Sequence, residues 1–192
     1  MTRITSIYQF GLIVAAGVLF QTSAQSALVI EFSEGQGTVD VAVSGSLDLS
    51  ATLGRAGSGT HSPSMFNPSR GFLLTGNRVR IDWYNINSLV TPFGTGDNSP
   101  NAIEGVGDRV ALFANLAIGL PDGYVSGEEL FSTNSWSGSF ESLGLVVGEY
   151  VTNFSNGNAA DSITVSVVPE PSVGLIALLS GTVLFLRYRN RY

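Results

Sequence analysis

Leu28-Val29-Ile30-Glu31-Phe32-Ser33, a break at Glu34-Gly35-Gln36-Gly37, then Val39-Asp40-Val41-Ala42-Val43-Ser44: apolar side chains recur at alternate positions on both sides of a glycine-bearing turn. Successive side chains of a strand point to opposite faces, so Leu28, Ile30 and Phe32 form one apolar face and Val39, Val41 and Val43 another. Leu47 and Leu49 continue the pattern against Ser46, Asp48 and Ser50. Between Arg78 and Tyr84, Val79, Ile81 and Trp83 point one way, with Arg78, Arg80, Asp82 and Tyr84 on the other. Val110 to Leu116 and Ser135 to Glu141 are further strand candidates. A hairpin closes the series, with Glu149 to Ser155 and Ser162 to Val168 joined by Asn156-Gly157-Asn158, a turn that tolerates the positive φ of tight hairpins. Outside the two chain ends no ten-residue window carries a helical stripe. The expectation is an all-β chain: an antiparallel β-sandwich or jelly-roll-like domain over residues 28–167.

Two stretches interrupt the alternation. Ala51 to Arg70 is rich in Gly, Ser, Thr and Pro, and Thr91 to Asp108 carries Pro92, Gly94, Gly96, Asp97, Asn98 and Pro100. Both read as long loops within a single domain of about 140 residues, large enough to bury an ordinary core. Charged residues make up only 12% of the 192, and all nine positive charges are arginines. Five of these (Arg55, Arg70, Arg78, Arg80, Arg109) lie in the body against fourteen acids between Glu31 and Asp161. Such an acidic body is repelled by phosphate backbones, so nucleic acid is not an expected partner. With no cysteine in the chain, neither disulfides nor thiolate chemistry are available to it.

The two ends differ from the body. Arg3, the apolar run Phe10 to Phe20 and the small residues that follow make a secretory signal peptide over 1–27, with cleavage after Ala24, Ser26 or Ala27. At the other end, Val168-Pro169-Glu170-Pro171 forms a stiff break before the uncharged run Ser172 to Leu186, which is followed by Arg187, Arg189 and Arg191. Those fifteen residues would span only ~22 Å as a helix against a hydrocarbon core of ~30 Å, so the arginines and Tyr188 and Tyr192 must extend the reach. The arginines would then stay cytoplasmic, as a basic anchor, while the body lies outside.

This order of break, membrane stretch and terminal arginines over 168–192 resembles the PEP-CTERM sorting signal of exported proteins in some Gram-negative bacteria. The resemblance implies processing near Val168-Pro169-Glu170-Pro171 by an exosortase, a membrane-embedded cysteine transpeptidase. It also implies an inner-membrane-anchored precursor that passes to the cell surface or extracellular matrix. The body is similar to exported PEP-CTERM proteins at Gly45-Ser46-Leu47-Asp48-Leu49, Leu120-Pro121-Asp122-Gly123-Tyr124-Val125-Ser126-Gly127, Phe140 to Glu149 and Ala160-Asp161-Ser162. These patches imply kinship and export, not a reaction.

Candidate chemistry in the body is sparse. A Ser-His-Asp site needs an imidazole, and the single His61 sits in Gly57-Ser58-Gly59-Thr60-His61-Ser62-Pro63 with no nucleophile elbow nearby. It reads as a solvated loop histidine. Paired carboxylates for a secreted hydrolase would come from Glu104, Asp108, Glu128, Glu129 and Glu141, but Glu128 and Glu129 would point to opposite faces of a strand. Calcium takes hard oxygen ligands, and Asp97, Asn98, Glu104 and Asp108 crowd one loop, with Asp122 in another. Asp97, Asn98 and Asp108 are the residues that would hold Ca²⁺, although their spacing matches no EF-hand or RTX repeat. Trp83, Tyr84, Trp136 and Phe140 would stack on sugars if exposed, yet alternation assigns Trp83, Trp136 and Phe140 to the core. The body is accordingly expected to be non-enzymatic, and the alternative is a module for exopolysaccharide, assisted or not by calcium.

Overall fold

A computed structural model describes residues 27–60, 63–114 and 116–169. The first two strands, β1 (Ala27–Glu34) and β2 (Thr38–Gly45), form the expected hairpin, with Gly35 N–H donating to Thr38 O at 2.8 Å. Leu28, Ile30, Phe32, Val39, Val41 and Val43 are all buried. Beyond them β2 pairs with β10 (Leu130–Ser137), which pairs with the short edge strand β7 (Glu104–Gly107). On the other flank β1 pairs with β12 (Ala160–Val168), which pairs with β11 (Gly148–Ser155). The first sheet therefore runs β11-β12-β1-β2-β10-β7.

The second sheet also has six strands, ordered β3-β6-β9-β8-β5-β4. They are β3 (Arg55–Thr60), β6 (Arg80–Asn85), β9 (Ala117–Pro121), β8 (Ala111–Phe113), β5 (Phe72–Leu74) and β4 (Met65–Asn67). Its inward row, Phe66-Leu73-Leu112-Ile118-Tyr84, lies in register across five strands. That row shares one core with Leu28, Ile30, Phe32, Val41, Val43, Ile163, Val165 and Val167 of the first sheet. At its centre Phe66 stacks edge-on against Trp136 (4.9 Å) and Phe32 (5.4 Å), and Trp136 Nε1 donates to Pro100 O at 3.1 Å. Such pairs contribute beyond the area they bury. The described residues are mostly strand, in two sheets around that core.

Five expectations change. The antiparallel expectation holds for nine of the ten strand pairings, but β1 and β12 run parallel, Ala27 opposite Ser162 through Ser33 opposite Val168. First and last strands share no short connection, so nothing forces them to run antiparallel. Ala51 to Arg70 is not a loop: it contains β3 and β4, joined to the sheet by backbone pairing rather than by apolar alternation. Thr91 to Asp108 likewise ends in β7. The strand expected over Ser135 to Glu141 stops at Ser137, and Phe140–Leu143 forms a helical turn, α1, whose capping box is made by Ser139 and Ser142. Leu47 and Leu49 lie on no strand; β2 ends at Gly45 and a 3₁₀ turn occupies Leu49–Ala51.

The Arg78–Tyr84 alternation is real, but its faces are reversed relative to the core. Ile81 and Trp83 face outward, in a second apolar cluster with Leu74, Ala111, Met65, Phe72 and Phe113. Tyr84 and Asp82 turn inward, and Val79 is exposed. A sheet with apolar side chains on both faces gives no sequence signal for which one meets the partner sheet.

Candidate functional site

The outward face of the first sheet carries a concavity lined by carboxylates and hydroxyls. It is an open groove of about 450 Å³ lined by Glu31, Ser33, Thr38, Asp40, Ile103, Glu104, Thr133 and Ser135 among others. Register builds it. Ser33 lies opposite Asp40, Asp40 opposite Ser135, and Ser135 opposite Glu104, a polar row crossing β1, β2, β10 and β7. The next row runs Glu31-Ala42-Thr133-Val106. Neighbouring strands lie ~4.8 Å apart, so the rows present hydroxyls and carboxylates at regular intervals. Ser135 Oγ donates to Asp40 Oδ1, while Glu31, Asp40 and Glu104 remain exposed.

Charge is segregated between the sheets. The strands of the first contain Glu31, Glu34, Asp40, Glu104, Glu149 and Asp161 and no arginine. Both strand arginines, Arg55 and Arg80, belong to the second. Arg55 pairs with Asp82 at 2.6 Å, and this contact above all holds the Asp82 carboxyl below the usual aspartate range. Beside the groove, Phe131 stands 58% exposed on the same face as Thr133 and Ser135, next to exposed Val106.

A second feature closes one end of the molecule. Asp48 accepts from Ser50 N (2.9 Å), Ser50 Oγ (2.8 Å) and Ser126 Oγ (3.0 Å). Ser50's hydroxyl and amide, followed by Ser126, hold its carboxyl below the ordinary aspartate range. Asp48 N donates to the buried Asp161 at 2.7 Å. Tyr124 Oη accepts from Leu47 N at 2.9 Å and lies 3.1 Å and 2.8 Å from the carbonyls of Leu47 and Glu128. Burial pushes its phenol upward. Three of the four sequence patches thus meet here: Gly45–Leu49, Leu120–Gly127 and Ala160–Ser162. The fourth, Phe140 to Glu149, lies at the other end of the sheet, where Phe140 N donates to Glu34 Oε2 at 3.0 Å.

The calcium candidates are placed separately. Asp97 accepts from Ser69 Oγ (2.5 Å), and its carbonyl accepts from Asn67 Nδ2 (2.8 Å). Asp108 accepts from Phe131 N at 2.9 Å, and Asn98 is exposed. Among the described residues no three imidazole, thiolate or carboxylate groups gather around one point. Trp136, Phe140 and Tyr84 are buried and Trp83 is partly covered, so the sugar-stacking surface considered for these four rings is not open to solvent. Among the described residues the exposed aromatic is Phe131, which alternation does not single out because its neighbours Ser132 and Asn134 are polar and yet face inward. Arg109 is fully buried, with Nη1 donating to Ser64 Oγ (2.9 Å) and Gly76 O (3.2 Å); burial, then the charge of Arg78, lowers its pKa. Val168 ends β12 and Pro169 is exposed. His61, Glu170, Pro171, Arg187, Arg189 and Arg191 lie outside the described residues, as do most of the signal peptide and the expected transmembrane helix.

No protein-family model matches the chain, and no curated protein or solved structure does either.

Proposed function

We propose that this is an exported cell-surface or extracellular-matrix protein with a non-enzymatic β-sandwich body. In this reading a signal-peptide helix (1–27) precedes the body and a PEP-CTERM-like sorting signal with a single transmembrane helix (168–192) follows it. The supporting observation is that the ladder ends where the motif begins. Val168 makes the last β1–β12 pair, opposite Ser33, and Pro169 beside it is exposed. Proline has no N–H to donate and stops the ladder, so the motif is offered to an exosortase without unfolding the sheet. At the other end Ala27 already pairs with Ser162. Signal cleavage after Ala24 or Ser26 leaves the ladder whole, whereas cleavage after Ala27 removes its first pair.

Replacing Pro169, Glu170 and Pro171 by alanine, or deleting Arg187 to Tyr192, should leave an unprocessed, inner-membrane-bound precursor in the natural host. Fractionation with mass spectrometry reads this directly, and unchanged processing in both variants contradicts the proposal. The outward groove with Phe131 beside it favours a second reading of the body, as a module that holds envelope polysaccharide.

A further inference from the structure

Three features distinguish the outward face of the first sheet from ordinary solvated surface. Three of its carboxylates, Glu31, Asp40 and Glu104, line one groove. The six strands that carry them contain no positive residue, although the body has five arginines. An exposed aromatic ring, Phe131, stands on the same face, on the strand that supplies Thr133 and Ser135 to the groove.

We infer that this groove binds a glycan bearing free amino groups, with Glu31, Asp40 and Glu104 facing its ammonium groups and Phe131 stacking on a sugar ring. The inference rests on the polysaccharide-binding reading and narrows it to one ligand charge. A concavity whose charged side chains are all carboxylates repels uronate-rich or sulfated chains and concentrates cationic ones. The backbone positions of Asp40 and Glu104 are two strands apart, about 9.6 Å, so each carboxylate can meet a different ammonium group along a chain. The hydroxyls of Ser33, Thr38, Thr133 and Ser135 supply donors and acceptors for sugar hydroxyls between those charges. The apolar flank of Ile103, Val106 and Phe131 gives the C–H face of a ring something to cover. A basic peptide would satisfy the carboxylates alone; the rows of small hydroxyls between them suit a glycan better.

The test is calorimetric titration of the purified full-length protein with four probes: chitosan oligosaccharides, their fully N-acetylated counterparts, alginate oligosaccharides and oligolysine of similar charge. Chitosan oligosaccharides should bind, at least tenfold more weakly at 0.5 M than at 0.05 M salt, and at least tenfold more tightly than the acetylated or alginate chains. The exposed pair Glu31→Gln with Glu104→Gln should lose at least tenfold, and Phe131→Ala should weaken chitosan binding but not oligolysine binding. Circular dichroism and thermal melts identify any misfolded variant, and the probe comparison on the wild-type protein stands without them. Equal binding of the acetylated chains overturns the charge inference while leaving the polysaccharide reading intact. Binding of no glycan overturns both, and oligolysine binding as tight as chitosan overturns the glycan assignment.

Discussion

Removing one oxygen, by Tyr124→Phe, should destabilise the body by about 2 kcal/mol. Tyr124 is 7% exposed, and its Oη is the acceptor for the Leu47 amide at 2.9 Å. Leu47 is itself buried, so water cannot replace that acceptor. A buried donor left without its partner costs ~1–3 kcal/mol, whereas an exposed hydrogen bond is worth far less. The carbonyl of Leu47 keeps a donor, since Gly127 N–H reaches it at 2.9 Å, so the loss should not exceed that range. For a body of about 140 residues, unfolding entropy near 0.3 kcal/mol/K converts ~2 kcal/mol into a Tm drop of roughly 7 °C. Urea titration followed by circular dichroism should give a lower midpoint at unchanged slope. Tyr150→Phe is the control: its hydroxyl donates to Val146 O at 2.8 Å in an exposed setting, and its loss should cost less than ~0.5 kcal/mol. Equal effects of the two variants would refute the argument that Tyr124 ties a buried segment.

Gly45 has φ +103°, and an added Cβ would lie 2.1 Å from Ala27 O, so Gly45→Ala should cost more than ~3 kcal/mol or abolish folding; Gly123→Ala, also at positive φ but with nothing within 4 Å, should cost about 1 kcal/mol, both read by urea midpoints. Asp48 is held below its ordinary value, so its stabilisation is complete above the unfolded-state value near ~3.9 and is lost as pH falls through the lower folded-state value. Asp48→Asn should accordingly be about 1 kcal/mol less stable than wild type at pH 7, with the gap narrowing as the pH is lowered towards ~2 in a Tm-versus-pH series. Trp136 is fully buried and Trp83 only partly, so Trp83→Phe should leave a blue-shifted emission that acrylamide barely quenches.

Elements with one apolar face are legible in the sequence. Leu28–Phe32, Val39–Val43 and the hairpin around Asn156-Gly157 are strands whose inward side chains meet the core as alternation demands. β3 is hidden for the opposite reason: Arg55-Ala56-Gly57-Ser58-Gly59-Thr60 has no apolar stripe, and the backbone ladder to β6 makes it a strand. The same holds for β7, only four residues long and half glycine. Trp83 misleads because the second sheet is apolar on both sides. The groove lies beyond single-sequence reasoning, since its lining runs from Glu31 to Ser135 and depends on β2 pairing with β10, ninety-five residues apart at Asp40 and Ser135. Nothing local announces such a pairing. The patches at Gly45–Leu49, Leu120–Gly127 and Ala160–Ser162 are visible as sequence but not as neighbours; shared hydrogen bonds bring them together.

Whether both chain ends serve export is read most directly from the intact mass of the protein recovered from outside the natural host. An exported and processed chain starts at Gln25, Ala27 or Leu28, ends close to Val168-Pro169-Glu170-Pro171 and lacks Arg187 to Tyr192. A single species of all 192 residues, recovered from the cytosol and absent from membrane and exterior, would contradict the proposed export and sorting.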